Sequence, residues 1–335
     1  MSANDQTMIT ALAQASAAAH PVPDRGHVNN FITDAELQQL LALYLPTDLY
    51  AHLQPYFERM GELAGGAVDD WALEADRNPP TLEMRSRSGK EVQRIVKHPA
   101  YVEMEKVAYQ QFGLAAISHR EDMLGWKGKM PPIVKYALTY LFVQSEFGLC
   151  CPLSMTDSLT RTLKKYGEQK LVEKYLPQLL SMDFDASVQG SMFMTEQAAG
   201  SDISNTLTMA YPQEDGSWRL YGEKWFCSNP DAGFGMVLAR VDGGPPGMKG
   251  ISLFLLPRQL DDGSTNHYQI VRLKDKMGTR SMASGEIRMD GAIAYLVGEQ
   301  GRGFVQIADM VNNSRLSNGM RSAGMMRRAV AEAEF

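Results

Sequence analysis

The feature that most restricts the fold of this chain is a change of hydrophobic period near residue 182. Before it, apolar residues recur at helical spacing. Ile133, Tyr136, Ala137, Tyr140 and Leu141 form a stripe behind Pro131 and Pro132, where proline begins a helix without sacrificing a needed N–H. Asp34 is placed to cap a helix carrying Leu37, Leu40, Leu41 and Leu43. Leu171, Val172, Tyr175, Leu176 and Leu179 share one face of another, which Pro177 is expected to kink or split. Further helices are expected over 47–71, with Pro55 as a break or a start, and over 98–117 and 156–166. The stretch 78–90, rich in proline and serine, reads as a loop.

After residue 182 the pattern shortens and partly alternates. Runs at 187–194, 207–211, 217–226, 236–241, 251–257, 268–273 and 285–289 are separated by Gly, Asp, Asn and Pro turns, the pattern of a β-sandwich or barrel. From Gly298 the helical period returns and continues to the last residue without a capping signal. The expected architecture is an α+β multidomain chain: a helical N-terminal domain over 1–183, a β-barrel middle domain over 184–297, and over 298–335 the first helix of a C-terminal helical bundle that is cut short.

Charge narrows the functional classes. A net charge of −6 provides no basic face for nucleic acid. Three cysteines, two of them adjacent, make no disulfide framework and suit a reducing, cytoplasmic setting. The N-terminal stretch lacks a basic region and an apolar core, so it does not read as a signal peptide. No apolar run approaches the ~20 residues needed to span a bilayer. The six histidines and three cysteines show no metal-ligand spacing, so no metal is expected. Neither a nucleophile elbow nor a phosphate-binding Walker loop occurs. Gly298, Gly301 and Gly303 lack the order of a dinucleotide fingerprint.

The segment from Gly190 to Asn229 carries the remaining chemistry. Two strand-like runs end in small hydroxyl and glycine positions, Thr195 with Gly200 and Ser201, then Ser228, and Trp225 and Phe226 precede the last. A flavin ring needs uncharged donors along its pyrimidine edge and near N5, with an aromatic or apolar wall on one face. Strand-end N–H groups and hydroxyls supply such donors, and small residues let the backbone come close. Residue types alone also allow an ordinary barrel corner followed by a core strand.

Spacing distinguishes them. MTEQAAGSD (194–202) followed by GEKWFCSN (222–229) resembles the flavin signature of the acyl-CoA dehydrogenase family. EKYLPQLLS (173–181), LKDKMGTRS (273–281) and GEQGRGF (298–304) are similar to that family's helix end before the barrel, its KxGxRxS turn and its entry into the C-terminal helices. GLCCPLSMT (148–156), NPPTLEMR (78–85) and MMRRA (325–329) resemble the AidB-like, adaptive-response branch. The resemblance implies FAD as cofactor, an acyl-CoA or similar thioester as substrate, an electron-transferring flavoprotein as acceptor, and a homo-oligomer, dimer or tetramer. It implies that Met192, Met194 and Thr195 bind the pyrimidine side, that Gly200 and Ser201 complete the turn with Ser201 near the thioester, that Phe226 covers the ring in place of the usual tryptophan, that Cys227 adds backbone contacts, and that Ser228 keeps a hydroxyl near N5.

Three departures accompany it. The usual TEP is TEQ, at Gln197. The carboxylate that removes the substrate's α-proton lies, in a minority of the family, just before an arginine of the first C-terminal helix, and Ser314 stands there. In most members it lies further along that bundle, so no catalytic residue is expected in this chain. The acidic residue of the usual DxxR pair is Asn312, leaving Arg315 as the expected contact to CoA. Lys276 and Arg280 are assigned to the barrel turn, Cys150 and Cys151 to small buried apolar positions, and Arg321, Arg327 and Arg328 to a solvated helix face. The branch resemblance supplies two rival readings: a DNA-associated stress-response flavoprotein with little dehydrogenase activity, its DNA surface in the absent C-terminal region, or an inactive fragment without a catalytic base.

Overall fold

The computed structural model describes residues 25–334. Its first part is helical: α1 (Ala35–Tyr44), α2 (Thr47–Ala64), α3 (Ala67–Arg77), α4 (Pro99–Glu105), α5 (Pro132–Val143), α6 (Cys150–Tyr166) and α7 (Gln169–Leu179). Asp34 caps α1 as expected, its carboxylate accepting from the Leu37 N–H. Pro55 does not break α2. The interruption falls at Gly65 and Gly66; position 65 must be glycine, since a Cβ there would collide with the Val28 carbonyl oxygen. Pro177 lies inside α7, which runs on to Leu179. The α4 helix passes into a π-helical turn, Lys106–Gln111, and stops short of Ile117. The expected loop at 78–90 is half of an antiparallel hairpin, β1 (Thr81–Arg85) with β2 (Glu91–Val96). Its strands are short and largely exposed, so no alternation marked them.

The remaining strands overlap the expected runs: β3 (Gly190–Phe193), shorter than the run 187–194, β4 (Met209–Pro212), β5 (Trp218–Ser228), β6 (Phe234–Val241), β7 (Ile251–Pro257), β8 (Tyr268–Leu273) and β9 (Ser284–Leu296), which continues well past the expected end at 289. Pairing runs β6–β4–β5–β9–β7 and returns from β7 to β6, which closes a barrel; β3 adds to β6 and β8 to β9. Closure leaves the ring without an open edge.

Three apolar cores follow. One fills the helical region, around Phe57, Met104, Leu138 and Phe142. A second fills the barrel, around Leu220, Phe254, Ile270 and Ile287. The third lies between the barrel's outer face and the helices, joining Leu159, Tyr175, Met236 and Leu253 to Ile307 and Met310 of α8 (Gly303–Glu334). Gly303 permits that packing, since a Cβ there would collide with the Ser252 backbone.

Side-chain bonds fix α8 to the helical region along its length. Asn313 donates to Asp157 at 2.7 Å and Ser158 at 2.8 Å; Arg327 pairs with Asp34 and Arg328 with Asp69. Arg327 and Arg328 are therefore cross-links to α1 and α3, contrary to the solvated face expected of them. No helix among the described residues is long and apolar enough to cross a membrane.

Candidate functional site

The two strand ends singled out by sequence meet in space. The Trp225 N–H donates to the Thr195 carbonyl at 2.8 Å, drawing the end of β5 against the turn after β3. Beneath this contact lies a buried ion pair. Lys224, with no solvent exposure, donates to Glu196 at 2.7 Å and to the Met194 carbonyl at 3.2 Å. The Glu196 carboxylate also accepts from the Leu207 and Thr208 N–H groups. Burial pushes the Glu196 carboxyl up, but the Lys224 ammonium and these donors outweigh it and hold it below the usual range. Removing either partner of such a pair strands a buried charge, at a cost of about 3–5 kcal/mol.

The aromatic pair owes its direction to a bulge. Between Lys224 and Cys227, β5 advances three residues while β9 advances two, from Ile287 to Gly285. The extra residue returns Cys227 to the barrel interior and turns Trp225 and Phe226 away from it. Phe226 takes a left-handed conformation, φ 56°, and is 61% exposed. A left-handed aromatic residue is strained, and such strain gathers at ligand sites. Lys274 covers one ring face, 4.1 Å from its centroid.

Helices complete the enclosure. A cavity of about 240 Å³ is lined on the barrel side by Met192, Met194, Thr195, Trp225, Phe226 and Ser228, and on the helix side by Cys151, Ser154 and Met155 of α6 with Ser314, Asn318 and Arg321 of α8. Ser154 donates to Ser314 at 3.3 Å. Arg321 is only 3% exposed; its Nε donates to Ser317 and its guanidinium lies 5.2 Å from the Phe147 ring centroid. A solvated face was expected here too, yet α8 turns this residue into the cavity.

Of the anticipated residues, Met192, Met194, Thr195, Phe226 and Ser228 line this cavity. Gly200 and Ser201 lie beside it on an exposed turn, Cys227 is enclosed in the barrel, and the Arg315 side chain is exposed and makes no hydrogen bond or ion pair among the described residues. Cys150 is buried as expected, but Cys151 reaches the cavity beside Ser228. Burial raises both thiols, making them poor nucleophiles. Sequence reasoning missed the Lys224–Glu196 pair and the helix-side lining. The EKW and TEQ triplets carried the pair in plain view, but nothing local says that two strand ends will share a charge. Lys276 donates to the Met282 carbonyl and to Ser284, consistent with a role in the barrel turn. No cluster of metal-binding side chains occurs among the described residues.

The group a flavin ring requires can be tested against this lining. Thr195 and Ser228 present uncharged hydroxyls, the methionines an apolar surface, and Phe226 an exposed aromatic face. No carboxylate lines the cavity. This donor set fits a flat, weakly polar heteroaromatic ring.

A helical region, a closed barrel and a helix returning across the strand ends define the acyl-CoA dehydrogenase fold. Residues 21–186 match the adaptive response protein AidB N-terminal domain, and residues 191–292 match the acyl-CoA dehydrogenase middle domain. Acyl-CoA dehydrogenase family member 11 of Caenorhabditis elegans is 31% identical over 313 residues, covering 91% of this chain and 50% of the relative. The AidB protein of Escherichia coli (strain K12) is 33% identical over 272 residues, covering 78% and 48%. The crystal structure of Caenorhabditis elegans ACDH-11 in complex with C11-CoA superposes with a TM-score of 0.82 at 29% identity, covering 96% of this chain and 56% of that one. The chain belongs to the acyl-CoA dehydrogenase family, and it spans about half the length of the curated relatives it matches.

Proposed function

We propose that this chain carries the flavin-holding part of an FAD-dependent oxidoreductase that desaturates an acyl thioester between Cα and Cβ. The observation that supports this most is the Trp225-to-Thr195 bond, which sets two hydroxyls and a strained aromatic wall on one cavity. When bound, FAD would supply the two-electron acceptor. Thr195 and the Met192–Met194 strand would hold the pyrimidine side. Ser228 would offer its hydroxyl near N5, Phe226 would cover one face, and Cys227 would contribute through its backbone. Gly200 and Ser201, on the adjoining turn, would close over the ring's edge and the thioester, and Arg315 would meet the CoA phosphates.

Ser314 faces the cavity where a base would stand, and a serine hydroxyl does not abstract a proton α to a thioester. That proton transfer is therefore assigned to a carboxylate outside the described lining. An electron-transferring flavoprotein would reoxidise the cofactor. The family likeness also supports an assembly of several copies of the chain.

The AidB-type match over 21–186, with a serine at the base position, favours a second reading: a flavoprotein of the adaptive-response branch with little dehydrogenase activity. Visible spectroscopy with acyl-CoA titration separates the two. A yellow protein bleached anaerobically by a thioester supports the first. A yellow protein that no thioester bleaches, whose full-length form is retained on DNA in a salt-sensitive way, supports the second. Thr195→Ala is expected to weaken FAD retention at least about tenfold, the loss of one hydrogen bond in a water-excluded site. Equal retention by wild type and variant would remove Thr195 from the flavin site.

A further inference from the structure

Arg321 is a buried cation without a counter-ion. It is 97% removed from solvent, yet its only hydrogen bond among the described residues is the 3.3 Å contact from Nε to the Ser317 carbonyl of its own helix. The Nη groups have no partner, and the residue lines the cavity. Every other lining side chain is neutral. Glu146, the buried carboxylate in the loop before α6, already accepts from the Leu149 N–H and from Ser281. The Phe147 ring offsets only part of what a guanidinium loses on leaving water.

The other buried lysines and arginines of the molecule behave differently. Lys224 has Glu196, Lys135 has Asp157, and Arg258 donates to the Tyr268 and Gln93 carbonyls. A cationic donor buried beside a cavity and left unanswered by protein is a recognition element for an anion. Asn318 and Ser314 stand about one and two turns earlier on the same face of α8, so the α8 part of the helix wall is polar. A purely hydrocarbon acyl chain gains little from such a wall, whereas one ending in a carboxylate finds a fork of N–H donors.

We infer that Arg321 selects acyl thioesters whose acyl chain bears a free carboxylate. This rests on the thioester reading above and names its substrate class. The test uses the flavin-loaded protein, titrated with adipoyl-CoA and with hexanoyl-CoA and followed by perturbation of the flavin spectrum. Wild type is expected to bind adipoyl-CoA about 10- to 100-fold more tightly, the discrimination typical of a buried group left unpaired by the wrong ligand. Arg321→Met should abolish or invert that preference, and Arg321→Lys should keep part of it. Equal affinity for the two thioesters in wild type, or a preference unchanged in Arg321→Met, overturns the inference while leaving the thioester reading intact.

A second measurement does not depend on the flavin or on CoA. Adipate alone should raise the melting temperature of wild type and of Arg321→Lys, but not that of Arg321→Met. If adipate protects in this way and neither thioester perturbs the flavin, the anion site stands and the thioester reading falls. If adipate protects all three proteins equally or none, Arg321 is no anion receptor. Loss of FAD from Arg321→Met, with no adipate effect on wild type, would assign the guanidinium to the flavin and also overturn the inference.

Discussion

The barrel contributes six residues to the cavity and the helices contribute six, but the two walls are built differently. Met192, Met194, Thr195, Trp225, Phe226 and Ser228 lie within two neighbouring strand ends joined by one backbone hydrogen bond. The helix wall joins Cys151, Ser154 and Met155 to Ser314, Asn318 and Arg321, from segments 160 positions apart at the Ser154–Ser314 contact. The first wall is stiffened by a buried ion pair and a bulge. The second depends on how one long helix is rotated and clamped. A strand-end site is written locally, whereas a helix–helix site is written only in packing.

That contrast can be broken by mutation, and the barrel wall should respond most. Lys224→Met leaves Glu196 buried without its ammonium, so a loss of about 3–5 kcal/mol is expected from urea unfolding. Replacing both residues, as Lys224→Met with Glu196→Leu, should cost less than the single change, because no charge is then stranded. A double-variant loss as large as the two single losses together would show that the pair carries no special coupling.

The same pair predicts acid sensitivity. The native carboxyl of Glu196 titrates below its unfolded value, which lies near about 4.3. As pH falls, the unfolded chain takes up this proton before the native one does, so stability is lost below about pH 4.3. At neutral pH the contribution is fully present. Glu196→Gln should flatten the fall in urea midpoint between about pH 5 and 3; an unchanged slope would show that other carboxylates dominate it.

The helix wall should respond less. Asn313→Ala removes the amide that reaches Asp157 and Ser158, a cost of about 1.5–3 kcal/mol for a bond to a charged acceptor. Asp157 keeps His119 and Lys135, so the α8 clamp should loosen without collapse. If Asn313→Ala leaves thiol access at Cys151 unchanged, rotation of α8 does not set the helix wall.

The smallest effect expected is kinetic. A neutral thiol reagent should modify Cys151, on the cavity, before Cys150 and Cys227, which are enclosed, and bound FAD should slow Cys151 alone. Labelling of Cys150 first would misplace the cavity mouth.

Much of this molecule was readable before its structure. The switch from a period of 3.6 to one of 2 near residue 182 located the barrel, because strand alternation and helical stripes are side-chain patterns that survive in sequence. The exposed hairpin Thr81–Val96 was not readable, since short strands with little buried surface show no alternation. Pro55 misled because its ring sits inside α2, while the actual break falls at Gly65, where a packed neighbour, Val28, leaves no room for a Cβ.

For the site, sequence by itself determined the chemistry of the barrel wall: hydroxyls at Thr195 and Ser228 and an aromatic pair, Trp225 and Phe226, just before the second. These are local requirements, and local sequence can meet them. Only tertiary structure decided that Lys224 is paired beneath the wall, that Arg327 and Arg328 serve as clamps, and that Arg321 is turned from solvent into the cavity. An arginine on a helix carries the same letter in all of these places. Its meaning depends on which neighbour the packing brings, and burial then determines whether its charge is free, paired, or left for a ligand.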